Sequence, residues 1–334
     1  MSGLTAIRGQ PRAVLQLRRA ISSGKLAGAY LFTGPPGVGK ATTALALAAA
    51  LNCERADGDA CGTCSACTRI ASGNHPDVLR LAPEGAARMI AIDPIRELAA
   101  RMGYPPHEGR ARVVVLDDAE RLGIAAANAF LKTLEEPPAR TFFVLVSAAP
   151  DALLVTIRSR CQRIRFAPLP RDEVAAIVEA GGASPANARL AAALAGGSAA
   201  RAAELADGEA LAARQLRVAA LLIAATSGTL GGAVTAATRA VAAADDLGAT
   251  LELFAHRLRD AAALAAGVPT PDRDTGMAAS GDEPDLAARL AERGPRALAR
   301  GARATLAARR ALTAMANPQL TLERLLVELR AEQP

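Results

Sequence analysis

Tryptophan is absent from this chain, and aromatic residues make up only 2% of it. Hydrophobic residues still reach 51%, so a sizeable core is available. That core has to be packed from alanine and leucine, which suits helices better than a β-sandwich. Also missing is any compact run of five or six basic residues. The net charge of +6 and the pI near 9.5 allow nucleic-acid or acidic partners without demanding them, and taken alone they describe an arginine-rich solvated surface. No basic segment followed by an apolar stretch opens the chain, so a secretory leader is not expected. The alanine-rich stretches are broken by charge or too short to cross a bilayer. These absences predict a soluble, cytoplasmic protein with no membrane partner. Its 334 residues suffice for two or three domains, and no repeat of fixed period is present.

The stretch Ala29 to Leu47, AYLFTGPPGVGKATTALAL, organises the rest. Tyr30 to Phe32 reads as a buried strand that breaks into Gly34-Pro35-Pro36-Gly37-Val38-Gly39-Lys40, and a helix over about 41–51 follows. Strand, glycine-rich loop and helix in this order form the context of a phosphate-binding P-loop. Gly34, Gly37 and Gly39 let the backbone curl and approach an anion closely. The helix turns its unpaired N–H groups and positive dipole end toward the same place, and Lys40 supplies the mobile charge. The next position departs from the pattern. A working loop has Ser or Thr there to hold Mg²⁺, and this chain has Ala41. Thr42 and Thr43 follow, and Thr42 is kept among the candidate loop residues. The helical rotation of about 100° per residue faces neither of them naturally toward a metal. The loop therefore cradles nucleotide weakly, if at all, and hydrolyses it poorly.

Cys53, Cys61, Cys64 and Cys67 cluster directly after that helix with spacing C-x7-C-x2-C-x2-C. Two overlapping C-x-x-C knuckles and a fourth thiol upstream can surround a tetrahedral Zn²⁺. Stable disulfides are disfavoured in the cytosol, and neither a thioredoxin-like context nor the sequence surroundings of an iron–sulfur cluster is present. The expected centre is structural and closed, with all four thiolates consumed. Cys161 lies far off in sequence. His75, in the turn Gly73 to Asp77, is read as a hydrogen-bonding residue and left out of the ligand set.

Ile92-Asp93 precedes a helix over Pro94 to Met102 with Asp93 as its expected N-cap. Arg112 to Arg121, RVVVLDDAER, reads as a buried parallel strand ending in Asp117 and Asp118. In P-loop proteins the first acid supports Mg²⁺ and the next, usually Glu, orients the attacking water. Asp118 is one methylene shorter. A helix from Ala125 to Leu134 stops at Glu135-Glu136-Pro137-Pro138. Thr141 to Ser147 is another all-apolar strand, Asp151–Ile157 a short helix and Gln162–Phe166 a last strand. Pro168-Leu169-Pro170 marks a domain boundary. Residues 171–207 hold three helical segments with a break at Gly196-Gly197-Ser198. From about 209 onward the chain is helical and alanine-rich, apart from a polar loop over 267–284 expected to be exposed. Leu322, Leu325, Leu326 and Leu329 fall on one helical face, which serves either as intramolecular core or as an interface.

On GPPGVGK, the four-cysteine insertion, GNHPDV, VVVLDDAERL, NAFLKTLEEPP, TIRSRCQ and NPQLTLERLLVEL, the chain resembles the bacterial DNA polymerase III clamp-loader subunits, and among them the delta-prime kind. The resemblance implies an α/β P-loop AAA+ module with a parallel sheet over 1–168 that carries the zinc insertion at 53–67. It further implies a three-helix lid over 169–208 and an all-α oligomerisation collar over 209–334. The implied partners are gamma/tau and delta subunits in a five-membered ring, which loads the sliding clamp on primer-template DNA at the nucleoid-associated replisome. Residue by residue, Gly34, Gly37, Gly39 and Lys40 match the nucleotide loop, Asp117 and Asp118 the metal-binding acids, Ser147 the first sensor and Arg201 the second. Arg160 matches the arginine finger, which serves a neighbour's ATP; its bland alternative is a salt-bridged loop arginine. Ala41, Asp118 and Ser147 depart from an active motor. Two expectations stand: a non-catalytic, delta-prime-type ring subunit within the polymerase holoenzyme, or a gamma/tau-type ATPase.

Overall fold

The computed structural model describes residues 3–55, 58–84, 89–226, 229–243, 246–268, 290 and 292–331. They fall into two compact units, 1–173 with 197–200 and 174–196 with 201–334.

The first unit is built on five parallel strands: β1 (Ala29–Thr33), β2 (Val78–Leu81), β3 (Arg112–Leu116), β4 (Thr141–Ser147) and β5 (Gln162–Arg165). Their spatial order is β2-β3-β4-β1-β5. With the glycine-rich loop after β1, this is an open, wholly parallel α/β sheet of the kind expected for a P-loop module. Helices cover both faces, which is why the central strands read as continuous apolar runs rather than alternating ones. The period of two is still visible in what each residue meets. Tyr30, Phe32, Val113, Val115, Val144 and Val146 pack with Leu17 and Leu47 on one face. Leu31, Val114, Leu116, Phe143 and Leu145 pack with Ile95, Leu98 and Phe130 on the other. The few aromatics are concentrated in this unit, with Phe32 against Phe166 at 5.1 Å and Phe130 edge-on to Phe143 at 5.3 Å between centroids.

The helices of this unit are α1 (Pro11–Ser22), α2 (Lys40–Asn52), α3 (Ser65–Ala71), α4 (Ile92–Arg101), α5 (Ile124–Glu135) and the single turn α6 (Val155–Arg158). Two local expectations are corrected. Asp93 is not the N-cap of α4: the helix begins at Ile92 with Ala91 as N-cap, so Asp93 sits in the first turn, where a carboxylate still suits the dipole. Asp151–Ile157 is not one helix. A 3-10 turn over Pro150–Ala152 is separated from α6 by extended backbone at Leu153, which turns its side chain into the core.

The second unit is all-helical: α7 (Arg171–Ala180, which begins in the first unit), α8 (Pro185–Leu194), α9 (Ala199–Leu205, whose first two residues also belong to the first unit), α10 (Gly208–Thr226), α11 (Leu230–Ala242), α12 (Leu247–Ala265), α13 (Gly294–Thr313) and α14 (Pro318–Ala331). Leu322, Leu325, Leu326 and Leu329 are at most 4% exposed and pack with Leu222, Leu251, Phe254 and Leu258. Of the two meanings left open for this stripe, core is the one observed. Helices α12 and α13 approach closely at Gly301, where a Cβ would come within 2.7 Å of Leu329 and 3.4 Å of Leu258. Of the polar loop expected at 267–284, residues 269–284 lie outside the described residues. No helix among the described residues is long and apolar enough to cross a membrane.

Candidate nucleotide loop and metal centre

Parallel strands bring their carboxyl ends to one edge, and the register pairs Thr33 of β1 with Ser147 of β4 and Leu116 of β3 with Leu145 of β4. The loop that leaves β1, the acids that leave β3 and the serine that ends β4 therefore share one rim. This follows from topology alone.

Gly34, Gly37 and Gly39 all have positive φ, at 148°, 72° and 95°. Two of them are also hemmed in. A Cβ at Gly34 would lie 2.2 Å from the Phe166 carbonyl oxygen, and one at Gly37 would lie 2.0 Å from Ser198 Oγ. The Ala200 amide donates to the Gly37 carbonyl at 3.3 Å, so the short segment 197–200 seats against the loop. Lys40 is 6% exposed, and its ammonium donates to the carbonyls of Gly34 at 2.7 Å and Pro35 at 2.6 Å. The loop's cation is thus engaged by the loop's own backbone. Burial lowers the Lys40 pKa against the opposing pull of Glu120, Asp117 and Asp118. Thr43 is fully buried and donates to the Gly39 carbonyl at 2.8 Å, while Thr42 is exposed on the outer side of α2.

At the end of β3, Asp117 pairs with Arg80 of β2 at 2.5 Å. Asp118 has φ of 46°, a left-handed conformation that aspartate tolerates better than most residues. This bend starts the 3-10 turn Ala119–Arg121 and swings Glu120 back to the rim. Its Oε1 accepts from the amides of Ala148 at 3.0 Å and Ala149 at 3.3 Å. Burial alone would raise the Glu120 carboxyl, but its own amide and those two hold it below the usual range. The fully buried Ser147 hydroxyl adds to that field, though its Oγ makes no hydrogen bond among the described residues. Of the three acids, Glu120 acts most strongly on Lys40. Sequence reasoning missed it, along with Arg80. Position 120 is two beyond the acid pair, and only the left-handed bend at Asp118 brings it inward.

Arg160 follows α6. Its guanidinium donates to the Thr156 carbonyl at 3.0 Å and to Glu135 at 2.7 Å, with both partners of the pair over a third exposed. Arg201 belongs to the second unit, where it pairs with Glu252, a carboxylate that Arg309 also engages.

The four cysteines converge: Cys53, Cys61, Cys64 and Cys67 place their sulfurs within 4.8 Å of one another, with Cys61 and Cys67 at 4.0 Å. Cys53 ends α2, Cys64 is the N-cap of α3 and Cys67 lies in its first turn. Gly62, with φ of 75°, makes the turn between them. Amides point at sulfur throughout: Cys61 onto Cys53 at 3.3 Å, Thr63 onto Cys61 at 3.5 Å, Cys64 onto Cys61 at 3.3 Å and Cys67 onto Cys64 at 3.5 Å. Such donors stabilise thiolates. The Thr63 amide and hydroxyl and the Cys64 amide lower the Cys61 pKa to about 5, while burial raises Cys67 to about 12. A tetrahedral Zn²⁺ with bonds of about 2.3 Å needs sulfur–sulfur edges of about 3.8 Å. The cluster meets that with small side-chain rotations, so the donor set fits zinc. Cys161 stands apart, its thiol pushed up to about 12 by burial. His75 is buried and accepts the Asp77 amide through Nδ1 at 3.2 Å, as a structural histidine does.

Residues 9–170 match the family described as DNA polymerase III, delta subunit. A delta' subunit of DNA polymerase III from Pseudomonas aeruginosa is 45% identical over 143 residues, 42% of this chain and 43% of that protein. The Escherichia coli delta' subunit is 41% identical over 145 residues, 43% of each. The tau subunit of Bacillus subtilis is 39% identical over 159 residues, 47% of this chain and 28% of that protein. The chain thus spans under half the length of the curated delta' relatives it matches. Residues 9–170 are thus similar in sequence to DNA polymerase III delta' subunits and to a tau subunit.

Proposed function

We propose that the chain is a delta'-type subunit of a DNA polymerase III clamp loader that takes part in ATP-dependent clamp loading without hydrolysing ATP itself. The observation that carries the non-catalytic part is the engagement of Lys40 by the carbonyls of Gly34 and Pro35, beside an Ala41 that has no oxygen for Mg²⁺. The similarity of residues 9–170 to delta' subunits supports the clamp-loader role. On this reading 1–168 is the AAA+ domain, 169–208 a lid and 209–334 a collar that joins gamma/tau and delta partners in a ring. The sliding clamp and primer-template DNA are reached through the complex, at the cytoplasmic replisome. The four cysteines hold a structural Zn²⁺, and Mg²⁺ and ATP bind weakly at most.

Arg160 is the proposed finger for a neighbour's ATP. A fixed guanidinium stabilises charge developing on a transferring phosphoryl oxygen. Its exposed pair with Glu135 is worth roughly 0.2–1 kcal/mol, a small cost for re-aiming it. The second reading, a gamma/tau-type motor, is favoured by the tau match and by Glu120 beside Lys40. One experiment separates them: the ATPase of the isolated chain. Negligible turnover supports the delta' reading, and steady turnover that Lys40→Ala abolishes supports the motor.

A further inference from the structure

Helix α13 has one face locked into the helical unit, and on the opposite face Arg296, Arg303 and Arg310 are exposed. Leu298, Gly301, Ala302 and Thr305 are buried, and Gly301 seats against Leu329 and Leu258. Helical rotation places Arg296, Arg303 and Arg310, at strict heptad spacing, directly opposite that row, and all three are exposed. The helix has five arginines and no acid, and residues 294–331 together hold seven arginines against two glutamates. The acids of the neighbouring helix α12 are already engaged, Glu252 by Arg201 and Arg309, Asp260 by His256 and Arg259. Among the described residues no carboxylate pairs with Arg296, Arg303 or Arg310.

We propose that this outward face of α13 is a docking surface for the phosphate backbone of a nucleic acid. The heptad row sets three guanidiniums along about 21 Å of rigid helix, at a rise of about 1.5 Å per residue. Guanidinium forks match phosphate oxygens, and a repeating anion meets a repeating cation. A membrane is a poor fit, because the apolar side that would insert is already core. A folded acidic partner is a poor fit as well: alanines 299 and 307 lie between the arginines, and they offer no pocket or aromatic anchor of the kind that carries protein interfaces.

The surface stands apart from the proposed clamp-loader role and is tested on the full chain alone, without partner subunits. Fluorescence anisotropy with a labelled 20-base-pair duplex of mixed sequence, titrated from 50 to 200 mM salt, gives the affinity and its salt slope. The combined variant Arg296→Gln, Arg303→Gln, Arg310→Gln is expected to lose about tenfold or more in affinity at 50 mM salt. Its log–log slope becomes shallower by about two to three, since each neutralised phosphate contributes about 0.9. The matched Lys triple keeps the slope. Removing three exposed charges from α1 (Arg12→Gln, Arg18→Gln, Arg19→Gln) leaves affinity within about twofold. The proposal is overturned if the parent chain does not bind the duplex, if the two Gln triples lose affinity equally, or if polyglutamate of equal charge displaces the DNA as well as unlabelled duplex does.

Discussion

Arg80 Nη2 lies 2.5 Å from Asp117 Oδ2, so the first acid after β3 draws its counter-charge from the adjacent strand. A carboxylate already paired is a poorer ligand for Mg²⁺. Arg80→Gln is therefore expected to raise Mg²⁺-dependent nucleotide affinity by roughly two- to fivefold, the scale of an exposed pair worth up to about 1 kcal/mol. Ala41→Thr should add to the gain without restoring turnover. Titration of a fluorescent nucleotide with and without Mg²⁺ reads this directly. An affinity for Mg²⁺–nucleotide unchanged by Arg80→Gln would show that the pair does not compete.

Zinc is the second test. Freshly purified, reduced protein is expected to carry one Zn²⁺ per chain that resists mild chelation. Cys64→Ala should lose the metal and lower the melting temperature, because binding energy at a structural site is folding energy. Cys161→Ala should keep the metal. Metal analysis without stoichiometric zinc would refute the site.

Acid sensitivity is expected to come from one turn. Asp77 is 1% exposed and accepts amides from His107, Glu108 and Gly109 at 2.6–2.9 Å beside the buried Arg112. Burial would raise its pKa, but those amides and Arg112 lower it below 3.8. Its contribution is therefore present above pH 4 and is lost as pH falls through the depressed value. His75, two residues away, is shifted down from 6.5, first by burial and then by Arg69. The unfolded chain takes up that proton at higher pH than the folded one, so stability starts to fall below about pH 6.5. Denaturant midpoints measured from pH 8 to pH 3 should show both steps. Asp77→Ala should cost roughly 3 kcal/mol at pH 7 by leaving Arg112 without its acid, and a flat profile would contradict the assignment.

In a reconstituted complex with gamma/tau and delta partners, Arg160→Ala should cut DNA- and clamp-stimulated ATPase about 10²-fold or more, the scale of a lost charge-stabilising donor. Assembly on a sizing column should survive, since one side chain contributes little to an interface. Unchanged ATPase and clamp loading would remove the trans-acting role.

What was legible in the sequence depended on local or periodic signals. The strands around Phe32, Val114 and Leu145 were readable because a sheet covered on both faces makes continuous apolar runs, and the cysteines because ligand spacing is short-range. Glu120 and the Arg80–Asp117 pair were not, because they depend on a left-handed bend and on strands brought together across 37 residues of chain. The leucine row of α14 shows the limit of periodicity. Spacing placed Leu322, Leu325, Leu326 and Leu329 on one face, and only their packing against Phe254 and Leu258 told core from interface. Asp93 was misplaced by two positions, since the N-cap is Ala91, because helix starts are read from sequence only to within a residue or two.

The strand order also sets a timetable for synthesis. β1 is the first of the five described strands to be made, yet its two neighbours are β4 and β5, with Tyr30 opposite Val144 and Gln162. At about 5–20 residues per second, the 132 residues from Thr33 to Arg165 take roughly 7 to 26 seconds to emerge. Until β4 emerges, Tyr30, Leu31 and Phe32 have no strand to pair with, and until β5 and Phe166 follow, one side of β1 stays open and Gly34 lacks the carbonyl it packs against. Ribosome-stalled chains that end before β5 are accordingly expected to be cut by protease near the loop, and chains extended past Phe166 to be protected there.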